Sequence, residues 1–258
     1  MRGGNRLSLV VLLNNRTTVG GGELAVYRYA ASLARRGHRV TVFANWRNDF
    51  MRKARPAGMR VRFRRGLPPS IRASGRFNRW WARMYGRLFI EPCLLGEKPD
   101  FICGYLRQAA ADAWRYGRKY GIRVVNFVFE TPDLVMRELG DILPPAEAAR
   151  LRRQWDAVRQ AYREAAVLVP LSETVRQECA RWTGRPVAPP VYLGVDADEA
   201  IKHPASDEHI VYVGRLDVYK NVQDLIRATA RLPDPPPLVI AGSGYEERDL
   251  RRLAVNLE

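Results

Sequence analysis

LSLVVLL, residues 7–13, is followed by the glycine-rich NNRTTVGGG (14–22), by ELAVYRYAASLARR (23–36) and, after a Gly-His turn, by RVTVFA (39–44). The first segment is an apolar run, and RVTVFA is β-branched and apolar on both faces, as in a strand that helices cover on each side of a parallel sheet. Gly37 supplies a stop signal for the helix between them. The opening therefore predicts a strand, a loop, a helix and a second strand.

The same alternation continues along the chain. Further strands are predicted at residues 59–63, 101–103, 122–129 and 167–171, and further helices at 109–120, 146–166 and 174–182. Strands that alternate with helices at this spacing predict a doubly wound, Rossmann-like α/β domain, which binds ligands beyond the carboxyl ends of its strands. Functional residues are therefore expected in the loops that follow strands.

A second domain is predicted after a proline-rich stretch at residues 184–209, which has the composition of a linker. A new strand is expected at 210–213, a helix at 221–231 and another strand at 238–241, before Gly242-Ser243-Gly244. We therefore predict an N-terminal domain over residues 1–200 and the first part of a C-terminal domain over 201–258.

Composition favours a folded protein in a reducing compartment. Of 258 residues, 47% are apolar, and the run at 7–13 is far shorter than the roughly 20 residues of a membrane-spanning helix. That run also lacks the small-residue cleavage site of a signal peptide. The three cysteines, Cys93, Cys103 and Cys179, are widely spaced and odd in number, which argues against a disulfide framework or a C-x-x-C site. We expect a cytoplasmic protein.

The positive charge is concentrated at the start of the chain. Residues 1–100 hold 21 of the 43 Lys and Arg residues but only 5 of the 27 Asp and Glu residues, and the rest of the chain is balanced. A genome-wide preference for arginine does not explain this distribution, because it would produce a basic excess in residues 101–258 as well. A basic face toward an anionic partner is therefore expected, whether a membrane surface, a phosphorylated acceptor or nucleic acid.

Gly20, Gly21 and Gly22 form a glycine-rich loop that leads from the first strand into the first helix. Glycine lets the backbone approach a ligand closely, and the start of a helix offers unpaired N–H groups to a phosphate. The spacing is not G-x-G-x-x-G, which argues against an ordinary dinucleotide-binding fingerprint. By itself the loop fits a flexible surface turn as well as a phosphate site.

GRLDVYKN, residues 214–221, comes directly after a predicted strand and opens a helix. The planar guanidinium of Arg215 can hold two phosphate oxygens, and Lys220 adds a point charge near the helix start. Two cations at a strand end favour a diphosphate site over a solvated basic loop.

Six motifs in order resemble those of the group-1 retaining glycosyltransferases, and they cover nearly the whole chain. They are Gly-Gly-x-Glu before a helix, the GHRV turn at 37–40, Ser172 after a strand, GVD at 194–196, the GRLDVYKN segment and AGSG at 241–244. The resemblance implies the GT-B architecture, two facing Rossmann-like domains with the nucleotide-sugar donor held mainly by the second.

The resemblance also implies roles for individual residues. Arg215 and Lys220 would hold the donor diphosphate and stabilise it as it leaves, while Gly20, Gly21 and Gly22 would approach the same phosphates. No metal cluster and no cofactor are expected, only a nucleoside-diphosphate sugar as donor substrate. The implied reaction retains the configuration of the sugar.

The chain departs from the family pattern in two places. The family often carries a His-Asp pair after the strand at 122–129, where this chain has Phe129-Glu130-Thr131-Pro132. We interpret Glu130 as a catalytic-site contact to sugar or acceptor, although a carboxylate that caps or solvates the loop fits as well. The glutamate-rich nucleoside- and sugar-binding segment of the second domain does not occur before Glu258. We therefore expect these 258 residues alone to transfer sugar poorly.

A basic stretch at residues 47–87 holds 13 Lys and Arg residues and a single acidic residue, Asp49. Its later part, residues 72–87, can form an amphipathic helix with arginines on one side and Phe77, Trp80 and Trp81 on another. Such a helix can lie in an anionic membrane interface. The alternative is that the aromatic side chains pack on the sheet while the arginines face water.

These observations predict a cytoplasmic hexosyltransferase that uses a nucleotide sugar and a lipid-linked, saccharide or small-molecule acceptor. Peripheral contact with the inner face of an anionic membrane is left open. The competing class is a non-catalytic basic module of the same fold that binds membrane or nucleic acid. The sequence contains no zinc finger and no RNP-type aromatic motif that would indicate nucleic-acid binding. We therefore expect no nucleic-acid partner.

Overall fold

The computed structural model describes residues 6–13, 21–44, 56, 58–63, 84–139, 143–194 and 209–257. The chain divides into two compact units, Met1–Leu193 and Gly194–Glu258. The division lies within the predicted linker.

The first unit is built on a six-stranded sheet in the order β3-β2-β1-β4-β5-β6, and every pairing is parallel. Its strands are β1 (Ser8–Leu13), β2 (Arg39–Ala44), β3 (Met59–Phe63), β4 (Phe101–Tyr105), β5 (Arg123–Val128) and β6 (Val167–Pro170). Because all strands run in the same direction, their carboxyl ends meet at one edge of the sheet, here called the carboxyl edge.

Helices connect these strands and cover the sheet. They are α1 (Gly21–Arg35), α2 (Glu91–Glu97), α3 (Leu106–Tyr120), α4 (Pro132–Leu139), α5 (Pro145–Arg163) and α6 (Glu173–Thr183), and a π-helical turn (Gly86–Ile90) leads into α2. Side chains alternate across the strands: Leu9 and Val11 pack with α1 in one apolar cluster, whereas Val10 and Leu12 pack with α3 and α5 in another. The unit is therefore doubly wound, as the sequence predicts.

Local signals explain where the helices end. Gly121 and Gly184, after α3 and α6, adopt left-handed conformations with φ of 66° and 70°, as glycines at the C-terminal ends of helices commonly do. Ser172 caps α6, since its hydroxyl accepts a hydrogen bond from the backbone N–H of Val175.

The structure corrects two parts of the predicted pattern. β4 runs two residues beyond the predicted 101–103, and α3 begins at Leu106 rather than at 109, so strand and helix adjoin without a loop. The short helix α4 is also absent from the sequence prediction; it begins at Pro132, where a proline is tolerated because no N–H is needed in the first turn.

The second unit contains a two-stranded parallel sheet, β7 (Ile210–Val213) with β8 (Leu238–Ala241), and helices α7 (Val222–Thr229) and α8 (Glu247–Val255). Its buried core is formed by Leu216, Val222, Ile226 and Leu250. The other face of the sheet, with Val211, Val213 and Val239, is exposed within the described part of the chain.

Candidate functional site

Gly22 brings the first turn of α1 against the end of β4. A side chain at this position would put its Cβ 2.8 Å from the hydroxyl oxygen of Tyr105, closer than real contacts allow. Tyr105 is the last residue of β4 and is buried. A glycine at this position therefore allows α1 to pack closely against Tyr105, whereas the predicted approach of this loop to a phosphate stays a prediction. Gly21 begins α1, and Gly20 lies outside the described residues.

Glu130 lies at the same edge, two residues after β5, and forms an ion pair that the sequence analysis did not predict. Its Oε1 is 3.5 Å from Nη1 of Arg107, and each side chain is 31% exposed. Arg107 is in the first turn of α3, directly after β4, and its Cζ lies 5.2 Å from the ring centre of the buried Trp155. The pair therefore joins the ends of two neighbouring strands.

The loop that carries Glu130 is held to α6 by a buried hydrogen bond between Thr131 and Glu178. The Thr131 hydroxyl donates to Oε2 of Glu178 at 2.7 Å, and Oγ1 of Thr131 accepts from the N–H of Leu134 at 3.4 Å at the start of α4. Thr131 and Glu178 are both buried. Arg137 also donates to the Glu178 carboxylate.

Glu178 is ionised in spite of its burial. Desolvation would raise the pKa of this carboxyl, but the hydrogen bonds from Thr131 and Arg137, together with the charges of Arg137 and Arg181, hold the pKa below its ordinary value. A charged acceptor strengthens the hydrogen bond from Thr131. Glu178 was not identified from the sequence, where it is one glutamate within a polar helix.

In the second unit, Arg215 and Lys220 lie beside one aromatic ring. The Cζ of Arg215 and the Nζ of Lys220 are each 5.3 Å from the ring centre of Tyr219. Nη1 of Arg215 also pairs with Oδ2 of Asp217 at 3.2 Å. The Arg215 side chain is still 63% exposed. The two predicted cations are thus brought together, and a ligand has access to Arg215.

Local backbone geometry shapes the cationic loop, residues 214–221. A 3₁₀ turn (Val218–Lys220) is closed by a 2.8 Å hydrogen bond from the N–H of Lys220 to the carbonyl of Asp217. Asn221 then adopts φ of 53°, a left-handed conformation that asparagine tolerates, and α7 begins. Lys220 therefore lies two residues before the start of α7, where the helix dipole favours anions, and Arg215 lies with it beside the Tyr219 ring.

The AGSG segment supports the cationic loop. A Cβ on Gly242 would lie 1.9 Å from the carbonyl oxygen of Gly214, and one on Gly244 would lie 2.2 Å from that of Leu216. The N–H of Leu216 donates to the carbonyl of Ser243 at 3.0 Å. These two glycines allow the loops after β7 and β8 to pack backbone against backbone.

Two sequence predictions concern features that lie outside the described residues or relate the two units. The approach of Arg215 and Lys220 to Gly20, Gly21 and Gly22 stays a prediction. Most of the predicted amphipathic helix, residues 72–83, lies in the segment that is not described.

None of the helices that the structure describes combines the length and apolarity needed to cross a membrane. Over the same residues, no three His, Cys, Asp or Glu side chains are grouped as metal ligands.

Comparisons with known proteins bear on both units. Residues 19–199 match the family model described as Glycosyltransferase Family 4, and residues 196–258 match the model described as Glycosyl transferases group 1. The chain is similar to the crystal structure of HepE from Anabaena in complex with UDP and glucose, with 17% identity, a TM-score of 0.68, and coverage of 98% of this chain and 66% of that one.

Two further solved structures have the same fold. Sucrose-phosphate synthase from Thermosynechococcus elongatus is 15% identical with a TM-score of 0.71, covering 98% of this chain and 67% of that one. WaaG, a glycosyltransferase involved in lipopolysaccharide biosynthesis, is 18% identical with a TM-score of 0.65, covering 96% and 67%. The chain thus spans 66% to 67% of the length of these three proteins. The comparison with curated proteins gives no match.

Proposed function

Because the chain belongs to Glycosyltransferase Family 4 and has the GT-B-type fold, we propose that it moves a hexosyl group from a nucleoside-diphosphate sugar to an acceptor. The observation that carries the proposal is the cationic loop after β7, where Arg215 and Lys220 lie beside the same tyrosine ring and Lys220 comes just before the start of α7. HepE, a structural neighbour, has been solved with UDP and with UDP-glucose. A nucleotide sugar is the donor that suits this loop.

The role proposed for Arg215 and Lys220 is electrostatic. Both hold the donor diphosphate, and both stabilise the charge that develops on it when the sugar leaves. Tyr219 restrains the Arg215 side chain before the phosphate binds. A phosphate must compete with Asp217 for Arg215, but Lys220 gives this cluster a net positive charge that attracts the diphosphate. The phosphate-binding role predicted for Gly20, Gly21 and Gly22 is kept as part of the proposal.

The proposed reaction retains the configuration of the sugar. The bond from the anomeric carbon to the diphosphate oxygen breaks, and a bond from the same carbon to the acceptor oxygen forms on the same face. The acceptor hydroxyl proton passes to the departing phosphate oxygen. No cofactor is required, and the electron pair of the broken bond remains on the nucleoside diphosphate.

The acceptor is assigned to the first unit, at the carboxyl edge that carries Glu130. An acceptor anchored in a membrane would suit the excess of basic residues before position 100, since each basic residue near an anionic surface contributes about 1 kcal/mol. Leu88 and Phe89, in the π-helical turn that follows the basic stretch, are exposed. We therefore propose a cytoplasmic enzyme that associates peripherally with the inner face of the membrane.

The test is release of nucleoside diphosphate that depends on the sugar nucleotide, measured over a panel of donors. It is made with this chain and with a form extended to the length of the relatives. Arg215→Ala and Lys220→Ala should each weaken donor binding about tenfold or more, since a charge-assisted hydrogen bond contributes about 1.5–3 kcal/mol. Arg227→Ala is the matched control, because this arginine lies on α7 in the same unit and pairs only locally with Asp224.

Two results would contradict the proposal. Equal loss of donor binding in Arg227→Ala would show a general effect of charge rather than a diphosphate site. Absence of turnover and of donor binding in both forms, combined with salt-sensitive binding to anionic vesicles, would instead favour the non-catalytic basic module.

A further inference from the structure

The Arg107–Glu130 ion pair lies where a ligand would bind to a sheet of this kind. Arg107 follows β4 and Glu130 follows β5, and these are adjacent strands of the sheet. Both side chains lie at the carboxyl edge, where α/β sheets bind their ligands. With 31% of each side chain exposed, a small ligand can reach both members of the pair.

The two side chains are held in place by groups that are themselves buried. The Arg107 guanidinium lies over the ring of Trp155, which is 1% exposed. Glu130 precedes Thr131, whose hydroxyl is fixed by the buried carboxylate of Glu178. Such support reduces the entropy that a ligand must remove when it binds.

The charge of the pair limits what it recognises. A carboxylate accepts hydrogen bonds and a guanidinium donates them, so that together they can bind a hydroxyl group as donor and as acceptor. The pair has no net charge. A phosphate in the same place would be repelled by Glu130 and would have to compete with it for Arg107.

We infer that the Arg107–Glu130 pair binds neutral hydroxyl groups of a saccharide acceptor, and that Glu130 disfavours a phosphate at this position. The inference rests on the proposed function and names the class of acceptor group for the site in the first unit. The basic excess before residue 100 is a separate feature and serves an anionic surface, whereas the pair serves uncharged hydroxyls.

The test uses two matched sets of probes, methyl glycosides of glucose, mannose and galactose, and the corresponding sugar 1-phosphates. Binding to the 258-residue chain is followed by NMR in the absence of any sugar nucleotide. The wild-type chain should bind at least one glycoside more tightly than its 1-phosphate. Glu130→Gln should weaken glycoside binding about fivefold and strengthen 1-phosphate binding, because Arg107 loses its counter-charge.

Glu91→Gln is the matched control. Glu91 is also a partly buried glutamate in an ion pair, 2.9 Å from Nζ of Lys119, but it lies near the amino edge of the sheet, where α3 ends. It should leave both affinities unchanged. Arg107→Lys retains the charge and loses the planar fork, so it should bind glycosides with an affinity between those of the wild type and Glu130→Gln. Thermal unfolding of each variant establishes that it is folded.

Several outcomes would overturn the inference: tighter binding of the 1-phosphates by the wild type, no binding of any glycoside, or affinities that Glu130→Gln does not change. Failure of the donor test is distinguishable, because no sugar nucleotide is present here. Glycoside binding, with no donor-dependent turnover in either the 258-residue chain or the extended form, would leave the saccharide site intact and refute the transferase proposal.

Discussion

Tyr219 is the residue at which the two donor-site cations meet. Its ring lies 5.3 Å from the charged groups of both Arg215 and Lys220, and exposed cation–π contacts are worth about 0.5–1 kcal/mol each. Tyr219→Leu should therefore lower the affinity for nucleoside diphosphate about threefold to tenfold, whereas Tyr219→Phe should retain it. Titration calorimetry with UDP, GDP and ADP measures the effect.

The matched control for that prediction is Tyr245→Leu, since Tyr245 is in the same unit and is 96% exposed. Tighter binding by Tyr219→Leu would reverse the interpretation, because it would mean that the ring competes with the phosphates for the cations. A comparable loss in Tyr245→Leu would point to a general effect on the unit.

At the residue scale, the sequence was informative where a motif fixes the geometry. The clustering of Arg215 and Lys220 could be predicted because both follow a clear strand and precede a helix; their role in donor binding stays a prediction. Arg107 could not, since it is one of 38 arginines and has no distinctive local pattern. The feature that could have identified Arg107 is its position directly after β4. That position was not recognised because the strand was predicted to end at Cys103 rather than at Tyr105.

At the scale of elements, Glu178 connects α6 to the loop before α4. Because its pKa is lower in the folded chain than in the unfolded one, the folded state binds fewer protons, and ionised Glu178 stabilises it above the unfolded value of 4.5. That stabilisation is lost as the pH falls through the lower, folded pKa. Glu178→Gln should thus be less stable than the wild type near neutral pH, by about 1–2 kcal/mol, and the difference should shrink below about pH 4.

Urea unfolding at a series of pH values measures this difference directly. Glu147→Gln is the control, since Glu147 is exposed in the first turn of α5. A stability difference that stays constant from neutral to acid pH would show that the carboxylate charge of Glu178 is not what stabilises the loop.

The elements themselves followed from the sequence where the pattern was long or β-branched. β2, β3, β7 and β8 occupy the residues predicted for them. α4 was missed because Pro132 follows a strand end and reads as a loop signal, whereas tertiary support from Thr131 and Glu178 allows a helix to begin there. Local signals set the ends of the helices, but such long-range contacts are absent from any local pattern.

At the scale of the whole molecule, the two units differ in how well they bury apolar surface. The first has apolar clusters on both faces of a six-stranded sheet. In the described part of the second, four residues form the buried core, while Val211 and Val213 remain 61% and 77% exposed on the open face of β7 and β8. A unit of this size is near the lower limit for a stable core without a disulfide, metal or partner.

We therefore expect the fragment 1–193 to unfold cooperatively on its own and the fragment 194–258 not to. The reason is area: burial contributes about 25 cal/mol per Å² of apolar surface, and the second unit leaves one face of its sheet unburied. Differential scanning calorimetry of the two fragments and of the whole chain tests this. A cooperative transition in fragment 194–258 would contradict this expectation. The thermal midpoint of Val213→Thr in that fragment then distinguishes two explanations. An unchanged midpoint would mean that the small core suffices, whereas a lowered midpoint would mean that the exposed face is covered by self-association.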